Sequence, residues 1–472
     1  MICLTGALLQ KGENLLKKKI KSSAGPEKDS EKRSFFVRAM DKMGFEVDLS
    51  DIRNRDFSPR HVWGTMKNAT ANSLNVFNSK EAAFDKPLFI LVIILLTVGT
   101  AMMASASYAY AYSNHGNSLY YINKQIIFAI IGILLMLAIS TIPPQKFKGV
   151  NSYVFWIISI ALLVLVRLLP AMKGVHRWIN LGFTTFQPSE LAKFAVILVC
   201  STYISYHFKE MNITTYKKPE TKVKAAKSKT YRIAYDLFRN LQTAVWPFVW
   251  RVGPVLGLLI IEPHLSCTII VMLITGTLML LGGTRKVFFG GLLALAGVLV
   301  GLVIFTGFVS YGETRVSMWL NPFADAKGKG WQTVQSLYAI SSGGLFGVGF
   351  GNSRQKFMYI AEPQNDFIFA VVCEELGLIG ASIIIIIFAI FIWRGFAISI
   401  ANHDRFQKFV GIGITSQIGY QMILNIMVVS NMVPNTGISL PFFSSGGTSL
   451  TMLLAEIGVL LAISRSSPNK IK

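Results

Sequence analysis

The residues of this sequence that could carry chemistry gather in one polar stretch of an otherwise apolar chain, residues 319–375. Asp325 stands there in PFADAKGKGWQ, where Gly328 and Gly330 let the backbone approach a ligand closely. A carboxylate in such a cleft can act as a general base, or it can bind a divalent cation together with diphosphate oxygens. An aspartate that only shapes a turn is the alternative. The aromatic side chains of the same stretch argue against disorder: Trp319, Phe323, Trp331 and Tyr338.

A second constellation is an acid–base pair at the start of an apolar segment, QPSELAKFAVIL. Glu190 is the only acidic residue between positions 86 and 209, and it precedes Lys193 by three residues, so a helix places both on one face. At membrane depth such groups are costly unless they form an ion pair or lie in a wet cavity. The pair therefore indicates either a structural ion pair that orients a helix bundle or a polar cavity. Gln187 and Ser189 would add hydrogen-bonding groups to that cavity.

The segment before this pair, KGVHRWINLGFTTFQ, places Arg177 beside Trp178. The planar guanidinium of arginine suits a phosphate, and tryptophan suits a sugar face or the membrane interface. Anchoring at the interface alone is an equally good interpretation. His176 has no further histidine or cysteine at ligand spacing, so we predict no metal site there.

The chain around these residues has the composition of a membrane protein. It is 52% hydrophobic and 15% charged, with a mean hydropathy of +0.49, whereas about 25% of the residues of a soluble domain are charged. Apolar segments long enough to cross roughly 30 Å of hydrocarbon predict an all-α polytopic membrane protein with about ten transmembrane helices. A large outer loop, 310–366, separates the seventh and eighth of them. The segments lie near residues 88–109, 125–142, 153–170, 188–206, 252–262, 266–282, 288–309, 367–391, 408–430 and 448–464.

The placement of charge predicts the topology. The net charge is +22, but lysine and arginine concentrate in the N-terminal segment, in a loop at 209–251 and in short alternate loops. This is the positive-inside pattern rather than a nucleic-acid surface, and it places both termini in the cytoplasm. Four cysteines without a paired spacing predict neither disulfides nor structural zinc. The predicted segments are a cytoplasmic extension that is disordered or forms an amphipathic helix, 1–86, a transmembrane domain, 87–465, and a cytoplasmic tail, 466–472.

Three long motifs follow one another along the chain: GVHRWINLGFTTFQPSELAK, the segment 321–380 and PNTGISLPFFSSGGTSL. Together they resemble the SEDS family (shape, elongation, division and sporulation) over about residues 87–465. The run EPQNDFIFAVVCEELGLIG is most similar to the division and sporulation branch of FtsW and SpoVE, rather than to RodA. The resemblance thus covers the whole predicted transmembrane domain.

This resemblance implies a peptidoglycan glycosyltransferase that polymerises lipid II into glycan strands at the outer face of the bacterial cytoplasmic membrane, during cell division or sporulation. Family members work with a class B penicillin-binding protein, which is a transpeptidase, and with divisome or elongation proteins. Asp325 matches the family's loop aspartate, which is expected to act as general base or to bind a divalent cation, Mg²⁺ or Mn²⁺. The residues expected at the substrate cavity are Arg177, Trp178, Gln187, Ser189, Glu190, Lys193, Lys356, Asp366 and Ser444.

The sequence departs from the family pattern at a few positions. Ala326 stands where a proline often follows the loop aspartate, and Ser445 stands where an aromatic residue is common. His264 and Ser266 occur where the family usually has a Pro-Asp-Leu-Gly run. Two other functions stay open from the residues alone, a lipid II flippase and a non-catalytic division scaffold. A flippase often shows paired broken helices in two repeated halves, and we find no such repeat.

Overall fold

The computed structural model describes residues 84–466 apart from 173–174, 183, 213–236, 286, 289 and 291–316. Within these ranges, nine helices are long and apolar enough to cross a membrane, which confirms the predicted all-α membrane architecture. A shorter helix, α7, lies between the sixth and seventh of them. In chain order the helices are α1 (Lys86–His115), α2 (Tyr120–Ser140), α3 (Val150–Leu168), α4 (Pro188–Asn212), α5 (Leu237–Ile261), α6 (Leu265–Gly282), α7 (Trp331–Gly343), α8 (Ile368–Ala401), α9 (Arg405–Val429) and α10 (Gly447–Ser466).

Some predicted segments fall outside the described residues. These are nearly all of the span predicted at 288–309, almost the whole N-terminal extension at 1–86 and the tail from residue 467. The remaining nine predicted spans each correspond to one helix, with ends that differ by several residues.

The fifth span is longer than the sequence predicts. Pro254 and Pro263 bracket the predicted segment, 252–262, yet α5 begins at Leu237 and continues through Pro254. The extension carries Arg251, which is 6% exposed and donates from Nη2 to the Tyr153 hydroxyl at 2.9 Å. Because an arginine inside a bundle is tolerated when it has a polar partner, residues 237–251 belong to a membrane helix. The predicted cytoplasmic loop at 209–251 is correspondingly shorter.

Three helices form the centre of the bundle. In the most apolar stretch of each helix, 72% of the residues are buried in α4, 72% in α9 and 67% in α10, but only 22% in α2. Lipid therefore contacts mainly the outer helices. Small residues allow the central helices to approach, since a Cβ on Gly413 of α9 would press against the side chain of Ile197 in α4. This centre can hold polar side chains that would be costly against lipid.

The described part of the predicted outer loop, residues 317–366, is built on α8. It contains a 3-10 helix (Pro322–Asp325), then α7, then a series of turns. Gly377 breaks α8 with a φ of +66°, and the turns supply hydrogen bonds around the break. The Val348 N–H donates to the Glu374 carbonyl at 2.9 Å, and the Leu378 N–H donates to the Gly344 carbonyl at 2.9 Å. The helix therefore provides a fixed base for the loop.

Candidate active site

A polar cavity of about 480 Å³ lies at one end of the bundle, where α4, α6 and α10 begin and α9 ends. Its wall combines the segment before α4, the first turns of these helices, the residues before α8 and the loop before α10. Seven of the nine residues that the sequence predicts for the cavity line it: Arg177, Trp178, Gln187, Glu190, Lys193, Asp366 and Ser444.

Glu190 and Lys193 form an ion pair in the cavity wall. The Lys193 Nζ lies 2.9 Å from the Glu190 Oε2, and Lys193 as a whole is 1% exposed. A second buried acid, Glu456 of α10, lies in electrostatic range of Lys193, and its Oε2 accepts a hydrogen bond from the Gln417 Nε2 at 2.7 Å. The sequence left an ion pair and a polar cavity as alternatives, and the structure contains both features at the same residues.

A short hairpin positions Arg177 and Trp178. Strands β1 (Ile179–Asn180) and β2 (Thr185–Phe186) pair antiparallel directly after them. The Thr448 hydroxyl at the start of α10 donates to the Thr185 carbonyl at 2.8 Å, so the hairpin is attached to the central helices. Arg177 donates from Nη2 to the Pro263 carbonyl at the turn before α6. Its guanidinium is thus part of the cavity wall.

The uncharged segment between α9 and α10 closes another side of the cavity. Asn425 of α9 donates from Nδ2 to the Ile438 carbonyl at 2.6 Å and to the Asp366 carbonyl at 2.7 Å. The Ser444 hydroxyl donates to the Asn365 carbonyl at 2.9 Å. These bonds hold the segment against the residues before α8, and they place Asp366 and Ser444 in one wall.

Two titratable residues of the turn between α5 and α6 lie beside the cavity. Burial raises the pKa of Glu262 to about 7, although Arg177 and Arg167 act in the opposite direction. Burial lowers the pKa of His264 to about 3, and the positive charges of Arg177 and Lys193 act in the same direction. His264 and Ser266 line the cavity. The departures from the family pattern at these two positions therefore change its wall.

Asp325 ends the 3-10 helix of the outer loop and is not among the lining residues. Its Oδ2 accepts a hydrogen bond from the Lys329 N–H at 2.9 Å, and a Cβ on Gly328 would collide with both carboxylate oxygens. The turn connects to the cavity through the start of α7. Gln332 lines the cavity there, and its Nε2 donates to the Ala361 carbonyl at 3.0 Å.

The other two predicted cavity residues lie elsewhere. Lys356 is 3% exposed, and its Nζ lies 3.0 Å from Glu375 Oε1 and donates to the Ser105 hydroxyl at 3.0 Å. This buried ion pair joins the outer loop to α8 and α1, so the assignment of Lys356 to the cavity is corrected. Ser189 is also buried, and its hydroxyl accepts from the Gln187 Nε2 at 3.0 Å. It contacts a lining residue without lining the cavity itself.

Gln421 lines the cavity from α9 and was not predicted from the sequence. A signal for it was present, because Gln417, Gln421 and Asn425 follow one another at a spacing of four in a largely apolar helix. This spacing places three amides on one helix face. Such a polar stripe indicates a buried hydrogen-bonding surface, and here all three side chains are buried.

A metal site is not preformed in the described part of the chain, where no group of three or more His, Cys, Asp or Glu residues could hold an ion. Mg²⁺ commonly binds through one or two carboxylates and completes its shell with water and substrate phosphates. The single carboxylate of Asp325 fits that mode of binding.

Comparisons with known proteins agree with this architecture. A family model described as "Cell cycle protein", for FtsW, RodA and SpoVE, matches residues 86–469. The chain is 36% identical to stage V sporulation protein E of Bacillus subtilis, over 82% of this chain and 99% of that protein. It is 33% identical to a protein of Trichlorobacter lovleyi named "probable peptidoglycan glycosyltransferase FtsW", over 81% of this chain and 93% of that protein.

One solved structure has the same fold. It concerns structural coordination of polymerization and crosslinking by a peptidoglycan synthase complex. The match has a TM-score of 0.61 at 25% identity, over 82% of this chain and 99% of the other. With the family model covering the whole described membrane region, the chain belongs to the FtsW, RodA and SpoVE family of cell cycle proteins, the SEDS family.

Proposed function

We propose that this protein is a peptidoglycan glycosyltransferase that polymerises lipid II at the outer face of the bacterial cytoplasmic membrane, during cell division or sporulation. The observation that carries the proposal is the polar cavity at one end of a membrane bundle, lined by Arg177, Lys193 and Glu190. The Trichlorobacter lovleyi relative named for this activity and the sporulation protein of Bacillus subtilis support the assignment.

The cavity suits the head group of a lipid-linked sugar diphosphate. The guanidinium of Arg177 and the ammonium of Lys193 are the two cations among its lining residues, and cations of this kind bind phosphate oxygens through charge-assisted hydrogen bonds. Trp178 offers a flat face to a sugar ring. The lipid tail can remain in the bilayer, because the cavity lies at the end of membrane-spanning helices.

Asp325 is the residue that we assign to the chemical step. It takes the proton of the acceptor sugar's 4-hydroxyl as that oxygen attacks the anomeric carbon of the donor. The bond from that carbon to the diphosphate oxygen breaks, undecaprenyl diphosphate leaves, and the anomeric configuration inverts. In its alternative role Asp325 would hold a divalent cation, which would supply positive charge for the leaving group. The absence of a Cβ on Gly328 leaves room for the Asp325 carboxylate.

The cellular setting follows from the same proposal. We place the protein in the bacterial inner membrane with both termini in the cytoplasm, since this orientation puts the cavity on the side where glycan strands are made. A class B penicillin-binding protein is the proposed partner, together with divisome or elongation proteins. The structural relative that belongs to a peptidoglycan synthase complex supports this assignment.

The proposal is tested with purified protein in detergent or nanodiscs, given lipid II with and without the partner transpeptidase. We expect glycan strands from the unsubstituted protein and at least a hundredfold slower polymerisation by Asp325→Asn, since a general base typically contributes about 10²- to 10⁴-fold. Asp404→Asn is the matched control. Asp404 caps α9 through the Gln407 N–H at 2.9 Å, and asparagine caps a helix as well as aspartate does.

Two results would contradict parts of this assignment. Polymerisation by Asp325→Asn at the rate of the Asp404→Asn control would remove the role given to Asp325. Liposomes in which the unsubstituted protein moves lipid II across the bilayer, with no polymer formed in any condition, would favour a flippase.

A further inference from the structure

His264 is a titratable residue of the cavity to which the proposed mechanism gives no role. It precedes α6, lines the cavity and is 6% exposed. Its main chain is fixed on both sides. The His264 N–H donates to the Leu259 carbonyl at 2.9 Å, and its carbonyl accepts from the Thr268 N–H at 3.1 Å and the Thr268 hydroxyl at 3.0 Å. The imidazole is thus held in the cavity wall.

The surroundings of the ring keep it uncharged. Burial lowers the pKa of His264 to about 3, and Arg177 and Lys193 repel an additional positive charge. An imidazole with this pKa is neutral throughout the physiological range. The other charged or titratable residues that line the cavity are Glu190, Cys267, Glu362 and Asp366. Glu262 lies in the same turn as His264, within electrostatic range of Arg167.

The position of the ring hydrogen follows from hydrogen bonding. The His264 Nδ1 is buried and has no hydrogen-bond partner among the described residues. A buried N–H without a partner is rarer than a buried acceptor without one. The tautomer with a bare Nδ1 and a hydrogen on Nε2 is therefore favoured. Because the ring lines the cavity and Nδ1 is covered, Nε2 is the donor that can reach a ligand.

We propose that His264 binds the diphosphate of the lipid-linked substrate by donating its Nε2–H, as a neutral donor in the same cavity as Arg177 and Lys193. This inference rests on the proposed function. An anion drawn toward the two cations enters the cavity that His264 also lines. A hydrogen bond to a charged acceptor is stronger than one to a neutral acceptor. A neutral ring also avoids pairing with the nearby carboxylates, which would compete with the substrate for an imidazolium.

The test is the affinity of the full-length protein in nanodiscs for undecaprenyl diphosphate, a ligand that has the diphosphate but no sugar. Loss of one hydrogen bond to a charged group corresponds to about tenfold or more in affinity. We expect His264→Leu to bind about tenfold more weakly. His264→Gln should bind nearly as well as the unsubstituted protein, because its amide nitrogen reaches the position of Nε2. His264→Asn, whose amide nitrogen matches Nδ1, should resemble His264→Leu.

His176→Leu is the matched control. The His176 ring hydrogen-bonds the Leu169 carbonyl through Nδ1 at 2.8 Å and is not among the lining residues, so its loss should leave the affinity unchanged. The ratio between the unsubstituted protein and His264→Leu should also stay constant from about pH 7.5 to about pH 5.5, since a neutral donor does not titrate there.

Several outcomes would overturn the inference. Equal affinity of His264→Leu and the unsubstituted protein would show that His264 does not contact the diphosphate. Tighter binding by His264→Asn than by His264→Gln would show that Nδ1 is the donor. A ratio that grows at the lower pH would indicate an imidazolium. The binding assay and the polymerisation assay distinguish this inference from the proposed function. A protein that shows the expected affinities but makes no glycan would refute glycosyl transfer, while the diphosphate contact of His264 would still stand.

Discussion

Lys193 and Lys356 are both nearly buried lysines that pair with a glutamate, at 2.9 Å to Glu190 and 3.0 Å to Glu375. Only Lys193 lines the cavity. The ion pair of Lys193 with Glu190 can be predicted from the sequence, because both residues share one helix face. The partner of Lys356 is 19 residues away along a folded loop, so the sequence offers no periodic spacing that would identify it. The two lysines therefore lie in different settings, one in the cavity wall and one in a buried ion pair that joins the loop to α8.

We expect Lys356→Met to destabilise the protein by about 3 to 5 kcal/mol, since removal of one partner leaves a buried charge uncompensated. Glu375 would be that charge, because it is 1% exposed. The double variant Lys356→Met/Glu375→Gln should recover most of the stability. Thermal unfolding in detergent measures both effects, and polymerisation per folded molecule should be little changed. A single variant that keeps its melting temperature but raises the KM for lipid II would restore a substrate role to Lys356.

The break in α8 determines where the loop between α7 and α8 lies. Gly377 has a φ of +66°, and a Cβ there would collide with the backbone of Gly347 and Leu345. Glu374 and Glu375 precede the break, and both are buried. Glu374 Oε1 accepts from the Arg354 N–H at 3.0 Å, so the side chains and the backbone of this helix both hold the loop.

Gly377→Ala should therefore strongly reduce the yield of folded protein and its melting temperature. The backbone conformation of Gly377, with φ +66° and ψ −172°, costs a residue with a Cβ about 1 to 3 kcal/mol, and the backbone collision adds to it. Gly257→Ala of α5 is the control, since nothing lies within 4 Å of the added carbon and alanine favours a helix. A Gly377→Ala protein with the stability of this control would mean that the loop does not depend on the break.

The limits of sequence-based prediction also differ by element. Long apolar helices such as α6 and α9 are predicted to within a few residues, because hydropathy alone defines a membrane span. The early start of α5 could not be predicted, since it depends on Tyr153 as a partner for Arg251 from another helix. The break at Gly377 was equally hidden, because the surrounding sequence continues as an apolar helix and only contacts with the loop require the break.

The cavity is assembled from segments that are distant in the sequence. Motifs in the sequence identified Arg177, Glu190 and Asp366 separately, and their meeting in one wall depends on how the central helices pack. The charge and residue type of Asp325 could not show that it is not one of the residues that line the cavity. Nor could those of His264 show that it joins the cavity as a neutral group, because that depends on burial and on two cations from other segments.

Topology is the property on which the cavity's access to its substrate depends. Because α8 crosses the membrane, its two ends must lie on opposite sides. Phe346, which is 81% exposed in the turns after α7, marks the cavity side, and the exposed His403 lies in the turn between α8 and α9 on the other side.

In a background with Cys3→Ala and Cys373→Ala, a membrane-impermeant maleimide should label Phe346→Cys in intact spheroplasts. It should label His403→Cys only after permeabilisation. The remaining native residues Cys200 and Cys267 are buried and should give little background. The reverse labelling pattern would place the cavity toward the cytoplasm, where an enzyme of glycan polymerisation would have no acceptor strand.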